Sequence, residues 1–205
     1  MTKPVIALVG GVASGKSAVS RAFAKRGAVV VDADVEGHAV LQDAEVKQEI
    51  RDAFGTGVFN GKGEVDRANL GAVVFSDAEK LATLNNITHP RIRQRTQAKI
   101  EAGMTDPNVK AVVLDISLLL ESGAYDGKYS LLVFVEADDK SRSERALRRG
   151  WQPGELERRQ ARQLNLEEKK RRADVVIHNN GTLSDLDRQV EEIWQKHIKP
   201  AAGGQ

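Results

Sequence analysis

The chain contains no cysteine, which excludes disulfides, thiolate catalysis and cysteine-ligated metal and fits a reducing compartment. It also has almost no net charge: 31 Lys and Arg stand against 29 Asp and Glu, a formal +2. No general nucleic-acid or membrane surface is therefore expected, and any polyanion must be recognised locally. Aromatic residues make up only 4%, and the most basic stretch, Lys140 to Arg172, has Trp151 alone for base stacking, which tells against a nucleic-acid groove. The longest N-terminal apolar run is interrupted by glycines and then by Lys16, so neither a leader nor a membrane span is expected, and a cytoplasmic protein is. What remains is ordinary for a folded protein. With 205 residues, 40% hydrophobic and 29% charged, the chain can build one large α/β domain with a smaller insertion and is short for two independent domains.

The most informative stretch is Gly10 to Ser17, Gly-Gly-Val-Ala-Ser-Gly-Lys-Ser, which fits G-x-x-x-x-G-K-[ST] and follows the apolar run Val5 to Val9. A strand before it and a helix-compatible segment after it, Ala18 to Arg26, give the context this motif needs. Glycines allow backbone N–H groups to turn around phosphate oxygens, Lys16 supplies a mobile positive charge, and Ser17 offers a hydroxyl to Mg²⁺. The helix that follows points its positive end at the same place. The stretch is thus a phosphate-binding loop.

A second apolar run, Ala28 to Val31, leads into Asp32-Ala33-Asp34, which puts carboxylates at the carboxyl end of a core strand, where open α/β sheets place ligands. Asp32 is a candidate general base or metal partner, and either it or Asp34 also suits a helix cap. From Glu36 to Asn108 the pattern is helical: Glu45 to Phe54, Asp66 to Val74 and Asp77 to Ile87 read as helices and Gly55 to Gly63 as a glycine-rich loop. Pro90 should break or kink the last helix after His89, with Arg91 to Ala102 resuming it. Val109 to Asp115 is a buried strand ending on a carboxylate, a second metal-side candidate; Leu118-Leu119-Leu120, suited to core packing, and Glu121 follow it. Leu131 to Val135 and Asp174 to Ile177 complete the strands, and Ser184 to Ile198 reads as an amphipathic helix. Lys140 to Arg172 should form two helices joined around Trp151 to Gly154, with Arg142, Arg145 and Arg149 on one face like the closing lid of a kinase. Together these segments imply a three-layer α/β/α fold of about five parallel strands with right-handed crossovers. No Asn-Lys-x-Asp segment is present to read guanine, which disfavours a switch GTPase.

The order Gly10-Gly11-x-x-Ser14-Gly15-Lys16-Ser17, Asp32-Ala33-Asp34, His89-Pro90, Leu118-Leu119-x-Glu121, Arg145, Arg149, Arg159-x-x-x-Gln163, Lys169, Ala173-Asp174 and Asn179-x-Gly181 resembles the dephospho-coenzyme A kinase family over essentially the whole chain. The loop is shared by many families; the Asp-Ala-Asp, His-Pro and Gln to Asn-x-Gly combination is far more specific. The resemblance implies transfer of the ATP γ-phosphate to the ribose 3′-hydroxyl of dephospho-CoA. It makes Asp32 the base, Lys16 the phosphate ligand, Ser17 a Mg²⁺ ligand beside Asp115, and Arg142 or Arg145 the lid arginine over the transferring group. Nucleotide contacts are then expected from Gly11, Val12, Ala13, Ser14, Gly15, Lys16, Ser17, Ala18, Arg149 and Asn179. Acceptor contacts are expected from Asp34, His38, His89, Leu118, Leu119, Glu121, Gln163 and Lys169, while His178 and His197 are left as structural. Two positions depart from the family pattern: Ser117 stands where proline is usual before the leucines, and His38 where arginine is frequent after Asp-Ala-Asp. The implied layout is a nucleotide-binding core (1–35, 109–140, 173–200), a helical acceptor insertion (36–108), an arginine-rich lid (141–172) and a disordered tail (201–205). Its partners would be ATP and dephospho-CoA, with no nucleic acid and no membrane, and the protein a monomer.

Overall fold

The computed structural model describes residues 3–198; the tail expected at 201–205 lies outside the described residues. The chain divides into two compact units, one made of the residues up to Val31 together with those from Ile100 on, the other of Asp32–Lys99.

The first unit is built on five strands, β1 (Val5–Gly10), β2 (Ala28–Asp32), β3 (Ala111–Asp115), β4 (Leu131–Glu136) and β5 (Val175–His178), in the order β2-β3-β1-β4-β5. The sheet is parallel, as the near-continuous Val, Ile and Leu runs require of strands covered on both faces. All six residues of β1 are buried. Its register sets Leu8 beside Asp115 of β3 and Gly10 beside Val135 of β4. The chain leaves β1 toward one edge and later crosses over it from β3 to β4, so the carboxyl ends of β1 and β3 flank the point where the winding direction reverses. That reversal opens a crevice at the carboxyl edge. Helix α1 (Lys16–Ala24) buries Val19, Ala22 and Phe23 against the sheet, and Phe23 meets Trp194 with ring centroids 6.4 Å apart.

The second unit contains α2 (Ala33–Val40), α3 (Ala44–Phe54), α4 (Arg67–Val74) and most of α5 (Ala78–Thr105). Val40, Val46, Ile50, Val58, Leu70 and Val74 form its core, with Leu81, Leu84, Ile87 and Ile92 packed on it. Asp66 and Asp77 stand one residue before α4 and α5 and accept the first free backbone N–H groups. Two expectations are corrected here. The segment 55–63 is not plain loop: it holds a 3₁₀ turn, Thr56–Val58, and Phe59 bridges to Val65. Pro90 does not end a helix either, because α5 runs through it from Ala78 to Thr105. Proline removes one backbone bond and crowds one carbonyl, but more than two helical turns on each side and the packing of Ile87 and Ile92 hold the axis together.

The first unit continues with α6 (Leu119–Ser122), α7 (Asp139–Arg148), α8 (Glu155–Gln160), α9 (Leu166–Arg172) and α10 (Leu183–Ile193). The basic segment therefore holds three helices and not two, since Asn165 starts a new one by accepting from the Glu167 N–H. The last helix begins on a Thr182–Asp185 capping box and ends at Ile193, five residues before the expected Ile198; Trp194–Ile198 is a wider π-helical turn.

Candidate active site

The phosphate loop leaves the end of β1 and enters α1 through Gly15, whose φ of 97° is left-handed, a conformation open to glycine. A Cβ there would stand 2.1 Å from Asn179 Nδ2, and Asn179 uses that closeness to donate to Ser14 O at 2.7 Å. Ala13 is also left-handed, φ 61°, the sole described non-glycine residue at positive φ; backbone strain of this kind collects at ligand-binding turns. Lys16 is the first residue of α1 and Ser17 is exposed one position on.

Two arginines from α7 reach the loop. Arg142 is 5% exposed and donates from Nε to Val12 O at 2.9 Å and from Nη2 to Gln160 Oε1 at 2.6 Å. Gly11 makes room for it, since a Cβ on that residue would lie 3.1 Å from the guanidinium carbon. Arg145 donates to Ser14 O at 3.0 Å and to Asn179 O at 2.5 Å; burial lowers its pKa from the ordinary value, with Asp138 opposing. The loop is thus embraced by Arg142, Arg145 and Asn179. Arg149 is not among them. It lies past the end of α7, where the helical face stops, and its guanidinium lies over Trp151, which also carries Arg159 at 4.3 Å.

Asp115 ends β3 beside Leu8, and the Ser20 hydroxyl donates to its Oδ2 at 2.8 Å. Ser20, buried on α1 one turn after Ser17, was missed in the sequence; a small polar residue on the apolar face of the helix behind a phosphate loop is the signal that could have found it. Among the described residues no group of three or more His, Asp or Glu could hold a metal ion. Ser17 and Asp115 nevertheless offer oxygen donors of the kind Mg²⁺ takes, and that ion needs only one or two protein ligands when phosphates supply the rest.

Of the residues expected at the acceptor, Glu121, Gln163 and Lys169 form a brace inside the first unit. Lys169, 1% exposed, lies 2.7 Å from Glu121 Oε1 and donates to Gln163 Oε1 at 2.9 Å. Glu121 also accepts from Leu164 N–H at 2.8 Å, and Gln163 donates to Ser117 O. The three bond to one another and tie the α8–α9 connection to the segment after β3. Leu119 is buried, whereas Leu118 is 44% exposed, so only the latter offers a surface. Burial opposes ionisation of Glu121, but Lys169 and the Leu164 N–H outweigh it and hold the carboxyl below its usual range. Stability from such a depressed carboxylate is present above the unfolded value of about 4.3 and fades as pH falls through the folded one. Glu121→Ala is expected to cost about 3–5 kcal/mol, because it strands a buried ammonium. Urea unfolding at pH 7 measures that loss, and the gap to the parent should shrink as the pH falls below about 4.

In the second unit Asp32 caps α2, its Oδ1 accepting from Asp34 N–H at 2.8 Å and Val35 N–H at 3.1 Å. The cap is therefore Asp32 and not Asp34. Asp34 and His38 are exposed one turn apart on α2. His89 lies on α5 one turn before Arg93; desolvation, and then the Arg93 charge, hold its imidazole below the ordinary value, so it is mainly neutral at pH 7. Arg91 pairs with Glu49 at 2.5 Å and Arg95 with Asp43 at 2.6 Å.

The family model described as dephospho-CoA kinase matches residues 4–185. The dephospho-CoA kinase of Deinococcus radiodurans is 46% identical over 187 residues, covering 91% of this chain and 88% of that protein. That of Geobacter sulfurreducens is 40% identical, covering 95% and 98%. Among solved structures, TT1252 from Thermus thermophilus superposes with a TM-score of 0.80 at 30% identity, covering 96% of this chain and 99% of that one.

Proposed function

The chain belongs to the dephospho-CoA kinase family, and from that premise we propose that it transfers the γ-phosphate of ATP to the ribose 3′-hydroxyl of dephospho-CoA, giving ADP and coenzyme A, the final step of coenzyme A biosynthesis. The observation that carries the phosphate chemistry is the loop Gly10 to Ser17 at the carboxyl end of the central strand, with Arg142, Arg145 and Asn179 bonded to its carbonyls. Lys16 and the loop N–H groups bind the triphosphate, and Gly11 to Ala18 surround it. Ser17 and Asp115 would hold Mg²⁺, which neutralises charge on the phosphate oxygens. Arg142 and Arg145 sit over the transferring group and, with segment 141–172 as the lid, exclude water.

Asp32 accepts the proton of the 3′-hydroxyl as its oxygen attacks the γ-phosphorus. One O–P bond forms, the bond from the γ-phosphorus to the β,γ-bridging oxygen breaks, and ADP leaves. Segment 36–108 supplies the acceptor site, with Asp34, His38 and His89 as contacts. No described helix is long and apolar enough to cross a membrane, and the working unit in this reading is a cytoplasmic monomer. An ADP-release assay with Mg²⁺-ATP and a panel of acceptors tests the proposal. Turnover is expected with dephospho-CoA and at most about a hundredth of it with free nucleosides or sugars, whose missing contacts remove binding used in the transition state. No turnover with dephospho-CoA sinks the reading.

A further inference from the structure

Val12, in the phosphate loop, is held by both of its backbone polar groups. Its carbonyl accepts from Arg142 Nε at 2.9 Å, and its N–H donates to Gln160 Oε1 at 3.0 Å. The same Gln160 oxygen accepts from Arg142 Nη2 at 2.6 Å. One carboxamide oxygen therefore closes a ring that joins a loop peptide, the arginine from α7 and the last residue of α8. The third partner of the guanidinium, Asp139, has a side chain 96% exposed, so its pull is weak and screened. The Val12 carbonyl alone fixes one N–H and leaves the rest of the guanidinium plane free to pivot about that single contact. A second acceptor sets that plane, and because the acceptor is itself bonded to the loop, it registers the fork on the loop and not merely on the helix that carries it. The acceptor is also neutral, so the guanidinium keeps its full charge for a phosphate, which a carboxylate in the same place would partly cancel.

We infer that Gln160 is the positioning residue for Arg142, setting the orientation in which its guanidinium meets the transferring phosphoryl group. The inference rests on the reading of Arg142 given above. Displacement of a positioned group by about 1 Å can cost up to a hundredfold in rate, so losing one of two anchors should be visible in turnover while leaving the fold alone.

The test is a double-mutant cycle on the full chain. Gln160→Met keeps the length of the side chain and removes its oxygen; Gln160→Ser stays polar but cannot reach Arg142. Each is expected to lower kcat about tenfold, with KM for ATP and for dephospho-CoA within about twofold and the thermal midpoint within about 2 °C of the parent. Arg142→Lys, which loses the fork, should lower kcat about a hundredfold, and adding Gln160→Met to it should cost no more than a further twofold or so. If Arg142→Lys turns over like the parent, the reading of Arg142 fails and the inference with it. If Arg142→Lys is slow but both Gln160 variants are as fast as the parent, the inference alone is overturned. It is overturned as well if the losses multiply, for Gln160 would then act independently of Arg142.

Discussion

Asp32→Asn is expected to lower turnover by about 10²–10⁴, the range for a lost general base, while ATP affinity stays within about twofold. The choice of asparagine follows from the dual position of Asp32 as the last residue of β2 and the cap of α2. Both cap bonds go to Oδ1, an acceptor that asparagine keeps, and asparagine caps helices about as well as aspartate. The start of α2, and with it Asp34 and His38, should therefore stay in place. What disappears is the negative charge and the ability to take a proton. Alanine would confuse the two roles, since it also forfeits the cap, worth about 0.5–2 kcal/mol. Calorimetry with ATP and steady-state ADP release separate the effects. If Asp32→Asn turns over at more than about a tenth of the parental rate, Asp32 is a cap and not the base.

The features legible in the sequence were those written in local pattern. β1 and its loop could be read because a strand covered on both faces must be apolar throughout and a turn around phosphate must be glycine-rich; the same logic found β2, β3 and β4 to within two residues. The family resemblance then supplied a chemistry for Asp32 that the strand end alone left open. What escaped reading was fixed by contacts remote in sequence. Gln160 meets Val12, 148 positions away, and no spacing rule connects them. The resemblance groups Glu121, Gln163 and Lys169 with the acceptor, but no spacing rule shows that they meet one another; a buried lysine needs acceptors, and Lys169 finds two in Glu121 and Gln163. Arg149 stands one residue past the end of α7 at Arg148, and its guanidinium lies over Trp151, a contact that helical spacing does not show. Pro90 was weighed by its local cost, whereas the packing of a 28-residue helix decided the outcome.

Gly15→Ala should nearly abolish ATP-dependent turnover, with kcat/KM for ATP falling about a thousandfold, and two separate costs lead to that figure. The first is conformational: φ at Gly15 is 97°, and a side-chain-bearing residue in such a region costs about 1–3 kcal/mol. The second is a collision, because the new Cβ would lie 2.1 Å from Asn179 Nδ2. Asn179 cannot yield cheaply, since it is buried, donates to Ser14 O, and accepts from Arg145 at its own carbonyl. Pushing it away disturbs both the loop and an arginine over it, at about 1.5–3 kcal/mol for a bond to a charged group. Together the terms reach about 2.5–6 kcal/mol, and each 1.4 kcal/mol is about a tenfold change. Asn179→Ala alone keeps the loop glycine and loses one hydrogen bond, so its kcat/KM for ATP should fall only about tenfold. The double variant Gly15→Ala/Asn179→Ala removes the collision but not the strained φ and should recover about tenfold over Gly15→Ala. Recovery to the level of Asn179→Ala would show that the collision is the whole effect. No recovery would assign the loss to the backbone of the loop itself, and a Gly15→Ala variant with parental activity would mean that this turn does not hold the triphosphate.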